Sequence, residues 1–197
     1  MTELAIFIIA GGKSSRMGQD KAFVEFGGET LLEQMLRTAR SVSSNVGLVG
    51  DPEKYAQYAP TTPDVFPGRG PLGGIHAALR SSRTELNLML AVDMPFIRPE
   101  FLRYLSKKAG STTATITVPQ VNNRMQPLCA VYRRAFAEVA EPALTSGENK
   151  IDRLFAPEIT HIIPQEEIER LAFPASMFDN LNTREDLNKA RAKNTRP

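Results

Sequence analysis

The sequence predicts an α/β protein built on a mostly parallel sheet with helices on both faces. Three observations lead there. Short, continuous apolar runs recur, as at 4–10 and 86–92, and strands buried on both faces read this way. Between such runs lie stretches with helical spacing, as in the apolar residues at 31, 32, 35, 36 and 39. The alternation of the two is the pattern of a parallel sheet with crossover helices. The 197 residues, 42% hydrophobic and 23% charged, suit one domain with a full core, and no linker or repeat divides them.

The elements follow in order. Leu4 to Ala10 reads as a strand ended by Gly11-Gly12. Thr30 to Ser41 has the helical period. Asn45 to Val49 is a second strand, closed by Gly50-Asp51-Pro52, and a short helix is expected over 53–58. Asp64 closes a third, weaker extended segment, and Pro67 to Pro71 reads as an irregular loop. A helix is expected over 72–82, then a strand from Leu86 to Val92 that stops at Asp93-Met94-Pro95. Pro99 to Ala109 is a helix, with proline suited to its first turn. Ala114 to Val118 and Leu128 to Tyr132 are strands, Ala135 to Leu144 a helix and Ile159 to Ile163 a late strand. Thr183 to Ala192 is a helix, with Thr183 as its cap and Asp186 completing a capping-box variant. Residues 193–197 are polar and read as a frayed tail.

Composition excludes several classes of function. The net charge of +2 is too small for bulk attraction to nucleic acid or membranes. Cys129 is the one cysteine, so an internal disulfide and a thiolate zinc site are both excluded. With His76 and His161 as the only histidines, a metal must rest on carboxylates, which favours magnesium or calcium. No run approaches the ~20 apolar residues of a membrane span. Glu3 stands where a signal peptide carries basic residues, so the expectation is a cytoplasmic protein.

In such sheets ligands sit beyond the carboxyl ends of the strands, which brings two strand ends forward. After the first strand comes Ala10-Gly11-Gly12-Lys13-Ser14-Ser15-Arg16-Met17-Gly18-Gln19-Asp20-Lys21. Adjacent glycines expose backbone N–H groups to an anion, and Lys13, Arg16 and Lys21 against Asp20 give the loop +2, the net charge of the whole chain. A polyphosphate needs such donors. The spacing is neither a P-loop nor a dinucleotide fingerprint. The second strand end is Asp93, whose carboxylate can hold magnesium beside substrate phosphates; the plainer reading is a turn aspartate before Pro95.

The loop resembles the L-A-G-G-x-S-x-R-M-G-x-D-K signature of the nucleotidyltransferases, with Ile9 for the usual leucine. Gly70-Pro71-Leu72-Gly73-Gly74, Asp93-Met94-Pro95-Phe96, Gln126-Pro127-Leu128 and Asn180-Leu181-Asn182-Thr183 extend the resemblance over nearly the full chain. Together they are similar to the molybdenum cofactor guanylyltransferases. The resemblance implies a Rossmann-like sheet of the nucleotide-diphospho-sugar transferase type. It implies transfer of GMP from GTP to molybdopterin with release of pyrophosphate and with Mg2+ as cofactor. A monomer, in transient contact with cofactor-delivery proteins, is the expected form.

The resemblance also assigns residues. Arg16, Lys21 and Asp93 are expected to be catalytic, with Asp93 the metal ligand. Lys21 contacts nucleotide phosphate, Arg16 the leaving pyrophosphate, and Lys13 assists. The nucleotide site takes in Ile9, Ala10, Gly11, Gly12, Lys13, Lys21, Asp64, Gly70, Pro71, Leu72, Gly74 and Asp93. Pro71 and Leu72 are expected to pack on the base. Asn180 and Asn182 are expected to bind the acceptor; apart from the resemblance, Arg124 and Lys150 lie in polar stretches and could neutralise its phosphate. Two alternatives stand beside this reading: a related transferase using CTP or a sugar phosphate, which would share the basic loop and Asp93, and a nucleotide-binding regulatory module without catalysis, which would not need Arg16, Lys21 and Asp93 together. For Asn180 and Asn182 the competing role is to satisfy backbone groups where the last helix begins.

Overall fold

The computed structural model describes residues 3–11 and 20–194. β1 (Leu4–Ile9) is followed by a short 3-10 turn (Lys21–Phe23) and a small hairpin of β2 (Glu25–Phe26) and β3 (Glu29–Thr30). Then come α1 (Leu31–Arg40), β4 (Asn45–Val49), α2 (Pro52–Tyr55), β5 (Thr61–Thr62) and α3 (Gly70–Ser81). β6 (Leu86–Ala91), α4 (Pro99–Gly110), β7 (Ile116–Val121), β8 (Arg124–Met125), β9 (Cys129–Arg133) and α5 (Phe136–Thr145) follow. β10 (Thr160–Ile163), α6 (Gln165–Arg170) and α7 (Arg184–Asn194) complete the described chain.

The main sheet runs β10-β7-β9-β6-β1-β4-β5. β6, β1, β4 and β5 are parallel to one another, and β10 is parallel to β7. β9 is inserted antiparallel between β6 and β7, and β8 folds back on β7. The expected mostly parallel sheet is therefore present, with β9 and β8 reversed. The reversal has a local cause. Asn122 and Asn123 both take positive φ, 51° and 59°, a conformation that asparagine tolerates and that turns a strand straight back on itself.

Side chains alternate across the sheet and divide the core into two layers. Ile6, Ile8, Leu88 and Leu90 face one side, where they meet Leu32 and Met35 of α1 and Phe101 and Leu105 of α4. Ala5, Phe7, Ile9 and Met89 face the other, against Leu72, Ile75 and Leu79 of α3 and Phe136 and Leu144 of α5. A third, smaller cluster joins the hairpin to α7: Val24, Phe26, Leu181 and Leu187 pack together, with Phe96 at the edge.

Three readings change at the local level. Gly70 and Pro71 belong to α3 and not to a loop, because Pro71 fits the first helical turn, where its missing N–H costs nothing. The run from Leu86 is not wholly apolar in effect. Asn87 is fully buried, and its amide donates to the carbonyls of Thr84, Glu85 and Tyr132. Finally, α7 extends to Asn194, two residues into the expected tail. Glu185 and Asp186 in its first turn favour the helix dipole, and Glu185 pairs with Lys189 one turn on at 2.7 Å.

Candidate active site

β1, β4 and β6 all end on one edge of the sheet. β1 and β6 keep their pairing past the strand ends, since Val92 N donates to Ile9 O at 3.3 Å. The next residue, Asp93, thus leaves the sheet between two parallel strands. It is 8% exposed. Lys21 reaches it from the 3-10 turn, with Nζ donating to Asp93 Oδ2 at 2.8 Å. The same ammonium donates to Asn182 Oδ1. Asn182 is brought there by the backbone, as Leu181 N donates to Asp93 O at 2.9 Å and the Leu181 side chain anchors in the hairpin cluster.

Lys21 itself is aimed by Asp20. Asp20 Oδ1 accepts from Ala22 N at 3.2 Å, which caps the 3-10 turn carrying the lysine.

Asp93 Oδ1 is buried and has no hydrogen-bond partner, while Oδ2 holds the lysine. A buried carboxylate oxygen left unpaired is costly, and a cation would satisfy it. Among the described residues no cluster of three or more histidine, cysteine, aspartate or glutamate side chains accompanies it. The site therefore fits a divalent cation that keeps several waters and takes substrate phosphates as further ligands. Among the described residues no side-chain cage of the kind that encloses a structural metal is present.

Asn182 does not satisfy the backbone at the start of α7. Asp186 Oδ2 accepts from Asn182 N at 3.1 Å and from Thr183 N at 2.9 Å, and Asp186 N donates to Thr183 Oγ1 at 3.1 Å. The capping box expected from sequence does that work, leaving the Asn182 amide for Lys21. Asn182 is half-buried and Asn180 exposed. Lys21 and Asn182, expected on the nucleotide and acceptor halves of the site, are joined by one hydrogen bond.

Asp64 lies just past β5, where its Oδ1 accepts from Phe66 N at 2.8 Å. Its carboxylate packs on the bare face of Gly73 in α3. A Cβ there would stand 2.9 Å from Asp64 Oδ1 and 3.0 Å from Oδ2, so no other residue fits without shifting the aspartate. Gly74 similarly lies against Ile9 and Val49. Leu72 is fully buried in the core and cannot stack its side chain on a base, contrary to expectation, because its helical position turns it inward. Gly70 and Pro71 remain exposed at the start of α3.

Burial pushes the Asp64 carboxyl above its ordinary range, and the Phe66 N–H and His76 only partly oppose this. A raised folded pKa means that ionising Asp64 disfavours the folded state. This cost is present above the folded pKa and vanishes as pH falls below the unfolded one. Asp64→Asn is expected to raise the melting temperature at neutral pH, with the gain fading toward about pH 4. Thermal melts across that range check it, and a pH-independent difference would remove the charge from the account.

The remaining candidates divide plainly. Ile9 and Ala10 are buried at the end of β1, and Gly11 follows, its N donating to Val49 O at 3.2 Å. Gly12, Lys13 and Arg16 lie outside the described residues. Arg124 and Lys150 are exposed. His76 is buried in α3 against the Phe66 ring, 3.5 Å from a Glu141 oxygen. Burial pushes the Cys129 thiol up, as befits an inert core residue. A groove lined by Arg80, Glu85 and Arg134 lies at the opposite, amino end of β6 and takes no part in the site. Sequence reasoning did not single out Gly73, whose bare face carries the Asp64 carboxylate.

The comparisons with known proteins bear on the family and the fold. The family described as the MobA-like NTP transferase domain matches residues 6–181. The chain is 35% identical over 193 residues to a probable molybdenum cofactor guanylyltransferase of Pelotomaculum thermopropionicum, covering 96% of this chain and 93% of that one. It is 32% identical over 190 residues to the molybdenum cofactor guanylyltransferase of Syntrophotalea carbinolica, covering 93% and 89%. Among solved structures, the molybdopterin-guanine dinucleotide biosynthesis protein A of Archaeoglobus fulgidus superposes with a TM-score of 0.85 at 28% identity, over 97% of this chain and 98% of that one. A fold, a strand-end carboxylate and full-length likeness of this kind have one explanation: the chain belongs to the MobA-like NTP transferases, among the nucleotidyltransferases known as molybdenum cofactor guanylyltransferases.

Proposed function

We propose that the protein transfers GMP from GTP to molybdopterin, forming the guanine dinucleotide cofactor and releasing pyrophosphate. The observation that carries this reading is the meeting of Lys21, Asp93 and Asn182 at the carboxyl edge of the sheet, with one Asp93 oxygen left unpaired. The membership of the chain in the family supports the substrates.

In the reaction an acceptor phosphate oxygen attacks the α-phosphorus of GTP. A new P–O bond forms, the bond to the β-phosphate breaks, and pyrophosphate leaves. Such a step needs positioning and charge stabilisation more than a side-chain nucleophile. Asp93 would hold Mg2+ through Oδ1. Bound there, the cation would draw phosphate oxygens together and offset their charge. Lys21 supplies a positive charge to the nucleotide phosphates, and Arg16 one to the leaving group. Asn182 keeps the Lys21 ammonium over the acceptor side. Asp64 and the exposed start of α3 offer acceptors and donors to ribose and base.

The test is thermal stabilisation by each of the four nucleoside triphosphates with magnesium. A ligand of the folded state raises the melting temperature in proportion to the logarithm of its excess over Kd. GTP is expected to stabilise most. Stabilisation by CTP and not by GTP would overturn the guanine assignment and leave a nucleotidyltransferase of other specificity. Binding without turnover in the presence of molybdopterin would favour a regulatory module.

A further inference from the structure

We propose that Tyr55 is a positioning residue for the transfer reaction, setting the placement of Lys21 through Asp20. This rests on the assignment of Lys21 to the nucleotide phosphates.

Tyr55 is the last residue of α2, the short helix after β4, and is 2% exposed. Its hydroxyl donates to Asp20 Oδ2 at 2.7 Å and has Ala10 O as a second acceptor at 3.3 Å. Ala10 is the first residue after β1, and Asp20 is the first described residue beyond 12–19. One phenol therefore ties together both ends of the basic segment. Asp20 is then committed on both oxygens, Oδ1 to Ala22 N and Oδ2 to the phenol, with Lys54 Nζ at 3.5 Å from the latter. A carboxylate gripped from two sides cannot rotate, and it caps the turn that carries Lys21. Burial and the adjacent Asp20 push the phenol well above its usual range, so it remains a donor at any physiological pH.

The surroundings are shaped for this ring. A Cβ on Gly50 would stand 2.7 Å and 2.9 Å from Tyr55 ring carbons and 3.3 Å from Gly11 N. The strand end at β4 must be glycine for the ring to pass beneath Gly11. On its other side the ring meets Phe23, at 5.8 Å between centroids, within the same 3-10 turn as Lys21. A core tyrosine needs only burial of its ring and one partner for its hydroxyl. Here the partners are Ala10 and Asp20, which flank the basic segment in sequence.

The test is Tyr55→Phe, which keeps the ring and removes the hydroxyl. Tyr58→Phe, in the same aromatic group, is the control. Transfer is measured with each triphosphate at saturating acceptor, beside the melting temperature. Tyr55→Phe is expected to stay folded and to lose about tenfold in kcat/KM for the nucleotide, with Tyr58→Phe like the parent. Placed on Asp20→Ala, the same change is expected to make no further difference to kcat/KM, because the link it breaks is already gone. Parent-like kinetics in Tyr55→Phe, or losses that multiply in the double variant, would return Tyr55 to a purely structural role. If Lys21→Ala also turns over like the parent, the reading of Lys21 fails and takes this proposal with it. If Lys21→Ala is inactive while Tyr55→Phe is unchanged, only the proposal fails.

Discussion

Asp93→Asn is expected to abolish transfer while leaving the fold in place. The amide has the shape of the carboxylate and can still accept from Lys21 through its oxygen. Its NH2 group then occupies the position of the unpaired Oδ1. A donor in that position repels a cation. Loss of a charge-stabilising contact costs about 3 kcal/mol or more, over a hundredfold in rate. The cation requirement should rise sharply in a magnesium titration of activity. The melting temperature should move by only a few degrees, since about 1 kcal/mol shifts it about 2–4 °C in a domain of this size. A magnesium dependence like that of the parent would move the metal elsewhere.

Lys21→Ala is expected to be as damaging to activity, with a different thermal signature. Without the ammonium, Asp93 loses the partner of Oδ2 and becomes a buried carboxylate with both oxygens uncompensated. Stranding a buried polar group costs about 1–3 kcal/mol, and more when the group is charged, so the variant should melt several degrees lower in metal-free buffer. Added magnesium then has no competing cation and should recover more stability than it gives the parent. Melts with and without magnesium, beside pyrophosphate release, test both halves. Near-parent turnover would make Lys21 an ordinary structural cation, and an unchanged response to magnesium would uncouple it from the metal.

Much of this site is visible in the sequence for a physical reason. A buried strand must be apolar, so the residues just past it, Gly11 and Asp93, stand out where the apolar run stops. The Thr183 cap was legible because its partner, Asp186, lies three residues on. Helix α1 carries the same signal in Thr30 and Glu33, whose backbone and side chains exchange hydrogen bonds. What sequence could not show is long-range. Tyr55 meets Asp20 across 35 positions, and nothing in Pro52–Tyr55 distinguishes it from any amphipathic turn. Leu72 and Gly73 sit side by side in a glycine-rich stretch, yet helical geometry turns one into the core and the other under Asp64. Periodicity places an element, and neighbours distant in the chain decide what each of its residues touches.

The hydrogen bond from Lys21 to Asn182 spans 161 positions, and the one to Asp93 spans 72. Both depend on a chain that has been made almost to its end. During synthesis the strands through β6 can pair before Asn182 has left the ribosome, but Lys21 then has only half of its eventual partners. Contacts so distant in sequence close late, after the loop entropy between them has been overcome. The nascent protein therefore acquires its core before its chemistry. A chain interrupted before residue 182 lacks the amide oxygen that accepts from Lys21, and so lacks one of the two contacts that fix the ammonium in the finished protein.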